Sequence, residues 1–428
     1  MRKAKILIVS ILCLLLGSVF LFAGGQQEAA EEKPVEEKEI ILMHDKGGVP
    51  NFQPFYEEVV KKLNAEMGIS FTPTPYPSTD VFQQAVRSAL PTNEPPDLFT
   101  WWSTYRAKQL YDQGLLAETT AIWDKYKDEY AQGIRDGFSF DGKVYGISTG
   151  LEYWPVYYNK DVFAELGLSI PETWDEFIEI CEVLKANDIS PLMQGIQDRW
   201  PTFIMFEEMI IGEDPDLYVD LCEGRVKFSD PRVVHAFNVW KDMIEKGYFT
   251  DPSINLFSDA PRLFNEGKIA MGVFGTWYYT SVLVANSVPE EKIGLFILPS
   301  HNPDAGKNII LELSPLFVAK NTPSMDRVMK IADWYMSAEG SGFWAKQVTA
   351  YPANKNADTS YMPKVKQDLL DTILNENYRV LNRYWEATPT EICEVAVDKF
   401  AEFVANPDKL DKIIADLDKV ADDYWSKN

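Results

Sequence analysis

The stretch from Phe140 to Asp161, FDGKVYGISTGLEYWPVYYNKD, decides how this chain is organised. Its first part reads as a β-hairpin with Asp141-Gly142 at the turn, since a two-residue connection needs positive φ and these residues tolerate it. A strand through Gly-Ile-Ser follows. After GLEYWPVYYNKD a fresh series of elements begins. Thr173 and Glu176 form a capping box for a helix that carries Phe177, Ile180, Cys181 and Leu184 on one side. The chain divides here, as its 428 residues lead one to expect: that length exceeds a typical single core.

Strands and helices alternate on both sides of the division. Ile40 to Met43 make a compact apolar run ending in a polar, glycine-containing turn. Phe52, Phe55, Tyr56, Val59, Val60, Leu63 and Met67 then recur at helical spacing, and Val81, Phe82, Ala85, Val86, Ala89 and Leu90 mark a second helix. Beyond the division come a helix from Pro231 to Lys246, a helix ending at FNEGK, and strands AMGVFG, IGLFILPS and LELSPLFVA. From Asp326 on the periodicity is largely helical. The alternation predicts α/β layers, and the apolar-run strands predict mostly parallel sheets covered on both faces.

The amino terminus is a targeting segment. MRKAK supplies a basic region and ILIVSILCLLLGSVFLF an apolar run, followed by Ala23-Gly24-Gly25. This is the layout of a secretory signal peptide cleaved after Ala23, with an uncleaved anchor as the minor alternative. Cys13 lies in mid-run behind Leu12, where a lipid-accepting cysteine needs a small residue, so it reads as passive. Without a lipid anchor, retention requires a periplasm. Residues 24–39, GGQQEAAEEKPVEEKE, read as a disordered linker. Losing residues 1–23 moves the formal charge of −24 three units further negative. Such a chain suits neither nucleic acid nor anionic lipid. Cys181, Cys222 and Cys393 permit one disulfide at most.

Catalytic and metal patterns are missing. There is no P-loop, no GxGxxG after a strand, no HExxH and no GxSxG. The three histidines, His44, His235 and His301, are far apart in sequence and lack ligand spacing, so neither a metal nor a cofactor is expected. What stands out is where the aromatics fall. Trp101 and Trp102 follow the strand in DLFTWWSTYR; Tyr153 and Trp154 follow the GIS strand; Trp200 sits in the QDRWP loop; Trp277, Tyr278 and Tyr279 follow AMGVFG. In open α/β sheets ligands bind outside the carboxyl ends of strands. Aromatics there, beside Asp45, Lys46, Glu152 and Asp198, suit a sugar, whose C–H face lies on a ring while its hydroxyls take fixed polar partners. Each tryptophan could equally be core. Consecutive side chains of a strand point to opposite faces, so Trp101 and Trp102 are not expected to fill one core together.

These segments resemble the extracellular solute-binding proteins of bacterial ABC importers, in particular the maltose-binding-protein group, from Ile40 onward. MHDKGG looks like the family's first strand and turn, which implies sugar contacts at Asp45 and Lys46. PPDLFTWWSTYRAKQLYDQGLLAET is similar to a segment whose tryptophan contacts ligand. It implicates Trp101, with Trp102 extending that platform or packing behind it, and Arg106. GKVYGISTGLEYWPVYYNKDVFAELGL carries an acidic contact onto Glu152, beside Trp154, and QDRWP implicates Asp198 and Trp200. FNEGKIAMGVFGTWYY looks like the segment that places a stacking ring at Trp277, near Tyr279, and a late aromatic near NRYW corresponds to Trp385 or Tyr384.

The resemblance implies a two-lobe periplasmic-binding-protein fold, each lobe a mostly parallel sheet flanked by helices, with hinge crossings. Residues 40–150 and 310–355 are expected in lobe I, and 151–309 and 356–428 in lobe II. It further implies a monomeric, non-enzymatic carrier that delivers a carbohydrate, an oligosaccharide for preference, to ABC permease subunits. Two alternatives stay open: the same fold binding a non-sugar polar solute, and a secreted carbohydrate-active enzyme using Glu152 and a second carboxylate.

Overall fold

A computed structural model describes residues 38–47 and 52–427. The expected signal peptide over 1–23, nearly all of the linker over 24–39, and Cys13 lie outside the described residues. No helix among the described residues is long and apolar enough to cross a membrane.

The strands are β1 (Ile40–His44), β2 (Phe71–Pro75), β3 (Leu98–Thr100), β4 (Ser139–Phe140), β5 (Lys143–Val144), β6 (Ile147–Tyr153), β7 (Val156–Asn159), β8 (Ser190–Leu192), β9 (Ile269–Val273), β10 (Ile293–Phe296), β11 (Asn308–Val318), β12 (Tyr351–Pro352) and β13 (Arg379–Asn382). They build a 7-stranded sheet in the order β12-β6-β11-β3-β1-β2, with β13 beside β11, and a 4-stranded sheet in the order β10-β7-β9-β8. Strands β4 and β5 form the expected hairpin. Asp141 and Gly142 at its turn have φ of 49° and 78°, the left-handed region the sequence pointed to.

Both sheets are mixed rather than mostly parallel. The helix Phe52–Met67 crosses over between β1 and β2, which lie parallel. Strand β6 leads the chain out of the larger sheet through Trp154-Pro155 into β7 of the smaller one. Strand β11 brings it back from β10 through residues 297–307. The outgoing and returning strands run in opposite directions, so β6 and β11 pair antiparallel, with Glu152 opposite Glu312. A buried run of apolar residues looks the same in either pairing, which is why the sequence could not tell them apart. All of β6, including Leu151 to Tyr153, and β13 lie in the sheet that contains β1, although the expected division falls after Gly150 and gives 356–428 to the second lobe.

The helices follow their apolar stripes. Phe52, Phe55, Tyr56, Val59 and Leu63 are buried along the helix Phe52–Met67, while Met67 is exposed at its end. Thr173 and Glu176 form the expected capping box. The three cysteines among the described residues are buried and free.

The helix Thr202–Glu213 is buried on nearly every side, including Glu207 and Glu208. Glu207 accepts a hydrogen bond from the backbone N–H of Tyr384 at 2.7 Å. Burial alone pushes the Glu208 carboxyl up to about 8. A carboxyl whose folded pKa is raised stabilises the fold fully below its unfolded pKa, and that contribution is lost as pH rises through the folded value. Wild type should therefore lose stability relative to Glu208→Gln as the pH climbs from about 5 to about 8, by a few kcal/mol. Urea unfolding of both proteins across that range checks it; parallel pH profiles would count against a buried, unpaired Glu208.

Candidate functional site

A cleft of about 730 Å³ opens where the two sheets meet. The larger sheet presents strand ends to it. Asp45 and Lys46 leave β1, with Lys46 Nζ 3.0 Å from Asp45 Oδ2 and the Thr100 hydroxyl donating to Asp45 Oδ1 at 3.3 Å. The preceding His44 is buried against Tyr56, with ring centroids 4.3 Å apart, and burial lowers its pKa to about 4. It is neutral at physiological pH.

Trp101 and Trp102 follow β3, and both line the cleft. Strand β3 stops at Thr100, so the alternation stops with it. The two indoles meet edge to face at 5.1 Å, and both contact Phe82. The expectation that they do not fill one core together fails: both are buried, and both follow the last residue of the strand. Trp101 Nε1 donates to the Arg106 carbonyl at 3.0 Å, which fixes its ring.

Glu152, on β6, forms the floor. Its carboxylate accepts the Thr276 hydroxyl and faces the buried Lys366 ammonium at 3.9 Å. Lys366 donates to the carbonyls of Thr276, at 3.2 Å, and Thr349. Burial pushes the Glu152 carboxyl up and the Lys366 ammonium down, and the charge of each partner opposes that shift in the other.

The smaller sheet supplies an aromatic wall. Trp277 is half-buried, with Phe257 nearly parallel to it at 6.4 Å and 14°. Trp200, also half-buried, lies 6.3 Å from Trp277. Trp277 Nε1 donates to Glu312 Oε2 at 3.0 Å, and that oxygen also pairs with Arg383 Nη1 at 2.9 Å. A Cβ on Gly275 would stand 2.3 Å from Trp277 Nε1, so the absence of a side chain there lets the indole lie flat. Asp198 is exposed at the rim, yet partial desolvation raises its carboxyl pKa.

Nine of the twelve residues named from sequence line the cleft: Asp45, Lys46, Trp101, Trp102, Glu152, Asp198, Trp200, Trp277 and Trp385. The other three lie behind it. Arg106 is buried, donates through Nε to the Trp385 carbonyl at 2.9 Å, pairs with Glu394, and sits 3.5 Å from the Trp385 ring centroid. Trp154 is buried behind Trp200 and Trp277, edge-on to both. Tyr279 is buried with its hydroxyl on Glu290 at 2.8 Å. The cleft also has residues not singled out from sequence, among them Tyr56, Phe257, Glu312, Trp344 and Arg383. Glu312 had a signal: it is a lone charge inside the apolar strand LELSPLFVA. Nothing local marks Tyr56 or Trp344, which sit in ordinary helical stripes.

The family model for bacterial extracellular solute-binding proteins matches residues 48–341. An ABC transporter extracellular-binding protein of Pyrococcus horikoshii is 26% identical over 344 residues, covering 76% of this chain and 74% of the relative. The diacetylchitobiose binding protein of Streptomyces coelicolor is 24% identical, over 64% of each chain. Among solved structures, a bacterial solute receptor described as preferring β-D-galactopyranose superposes with a TM-score of 0.81 at 19% identity, covering 91% of this chain and 98% of that one. A chitin oligosaccharide binding protein gives 0.79 at 20% identity, over 90% and 98%. The shared architecture is the two-lobe α/β fold of these receptors, and the chain belongs to the bacterial extracellular solute-binding protein family.

Proposed function

We propose that the chain is the extracytoplasmic receptor of an ABC importer, that it captures a neutral oligosaccharide in this cleft, and that it hands the sugar on to the permease unchanged. The observation that carries the reading is the pair of half-buried indoles, Trp200 and Trp277, facing a floor of fixed polar groups at Asp45, Lys46, Glu152 and Glu312. Flat apolar rings opposite preset hydrogen-bonding groups match the two surfaces of a sugar. The names of the diacetylchitobiose and chitin oligosaccharide receptors support the same ligand class.

Charge supports a neutral ligand. Each cation of the cleft already has an anionic partner: Lys46 has Asp45, Arg199 has Asp398, and Arg383 has Glu312 and Glu386. These pairings neutralise the cleft's cations, which leaves no uncompensated positive charge to attract an anionic solute. Glu312 is likewise committed to Arg383 and Trp277, which argues against its acting as the catalytic partner of Glu152 in glycosidic hydrolysis. Closure by hinge motion turns about the crossings between the lobes, Trp154-Pro155 and 297–307 among them. The receptor works as a periplasmic monomer in this reading.

Tryptophan fluorescence of the folded protein, titrated with a panel of mono- and oligosaccharides, should give a saturable shift with one sugar class. Chromatography of the bound sugar should recover it intact. A flat response across the panel would overturn the sugar reading, and new products would overturn the carrier.

A further inference from the structure

The histidines that appear scattered in the sequence are not all scattered in space. The chain has three, and two of them meet on one carboxylate oxygen. Glu213 ends the helix Thr202–Glu213, His235 lies on the helix Pro231–Glu245, and His301 lies in the segment that returns to β11. His235 Nδ1 is 2.7 Å and His301 Nε2 3.0 Å from Glu213 Oε2. All three ligand atoms fall within 4.8 Å of one another.

We propose that Glu213, His235 and His301 form a binding site for a divalent transition-metal ion of the Zn²⁺ class. Two imidazoles and one carboxylate are the donor set that borderline cations of this class prefer over Mg²⁺ or Ca²⁺. Tetrahedral coordination at ~2.1 Å puts ligand atoms about 3.4 Å apart. The separations of 2.7 and 3.0 Å fall short of that by about 0.7 and about 0.4 Å, a spread that side-chain rotation supplies.

The surroundings fit as well. His301 is held in place: its side chain is 4% exposed and its ring packs edge-on against Trp174 at 5.6 Å. The next residue, Asn302, donates to the carbonyls of Gly212, at 3.0 Å, and Glu213, at 2.8 Å. His301 Nδ1 has no hydrogen-bond partner among the described residues, so no outer acceptor fixes the ring's tautomer, and it is Nε2 that faces Glu213. The His235 side chain is 59% exposed, which gives the ion a way in and leaves room for water as a further ligand. One ion would tie the segment 297–307 to both helices.

The test is zinc titration of the tag-free full chain, stripped with EDTA, followed by calorimetry and by the visible absorption of a Co²⁺-loaded sample. One equivalent of Zn²⁺ should bind per chain, and its presence should raise the unfolding temperature. His235→Ala should weaken binding at least about tenfold, and it alters an exposed side chain that the fold does not need. Glu213→Gln should weaken it similarly, and its circular dichroism reports whether it is folded. Absence of saturable one-to-one uptake by wild type, or equal uptake by His235→Ala, would overturn the site. In that case the three side chains are a hydrogen-bonded cluster only.

Discussion

Trp277→Ala should bind the preferred sugar roughly 30-fold more weakly than wild type while remaining folded. The half-buried indole lines the cleft beside Phe257, whose ring lies nearly parallel to it at 6.4 Å. Covering one face of the indole with the C–H surface of a sugar ring removes about 80 Å² of apolar area from water, worth about 2 kcal/mol. The fold tolerates the loss because Glu312, which gives up the indole N–H, keeps Arg383 at 2.9 Å. Trp277→Phe should fall between the two, since it keeps a ring and loses the donor. Gly275→Ala tests the same wall from behind, because its new methyl group would occupy the place of the indole nitrogen. Calorimetric titration reads all three. An unchanged affinity in Trp277→Ala would remove this ring from the site.

The second large effect is on stability. Arg383 is buried and reaches two carboxylates: its Nε is 2.9 Å from Glu386 Oε2 and its Nη1 is 2.9 Å from Glu312 Oε2, with Nη2 also on Glu386. Its guanidinium lies over Trp154 at 5.2 Å and Phe203 at 5.8 Å. Arg383→Ala leaves Glu386 buried without its countercharge and should cost 3–5 kcal/mol, roughly the penalty for breaking a buried pair. The loss has a pH signature. Burial already raises the Glu386 carboxyl, and without the arginine it rises further. A raised carboxyl stabilises the fold only at low pH, so the deficit of Arg383→Ala should grow from acidic to neutral pH. Denaturant unfolding at an acidic and a neutral pH checks the direction. A deficit that shrinks with rising pH would show that Glu386 is not the group left stranded.

The parts of this architecture that depend on local chemistry could be read from the chain. The Asp141-Gly142 turn, the Thr173 and Glu176 capping box, and the stripe of Phe52, Phe55, Tyr56, Val59 and Leu63 each follow from spacing alone. The placing of aromatics after strands was legible for the same reason, since a strand's end is marked by where its apolar run stops. What escaped depends on contacts between distant segments. Arg106 carries the same charge whether it points into a cleft or, as here, lies on the ring of Trp385. Trp154 and Trp200 are both strand-end or loop tryptophans, yet one is buried behind the other. Arg383 gains its role only because β13 docks beside β11 and sets the following residues next to Glu312. The direction of strand pairing was hidden as well, because an apolar run reads alike in parallel and antiparallel sheets.

The three buried thiols described above offer a clock for the molecule's breathing. Burial pushes Cys222 and Cys393 up to about 12 and raises Cys181 as well, so none presents a thiolate to reagent while the fold is closed. Cys181 lies in the helix Trp174–Ala186, Cys222 in Pro215–Cys222 and Cys393 in Thr390–Ala405. Each one therefore reports when its own helix lets go. The rates at which an alkylating reagent finds them, one by one, would rank these regions by how often they open.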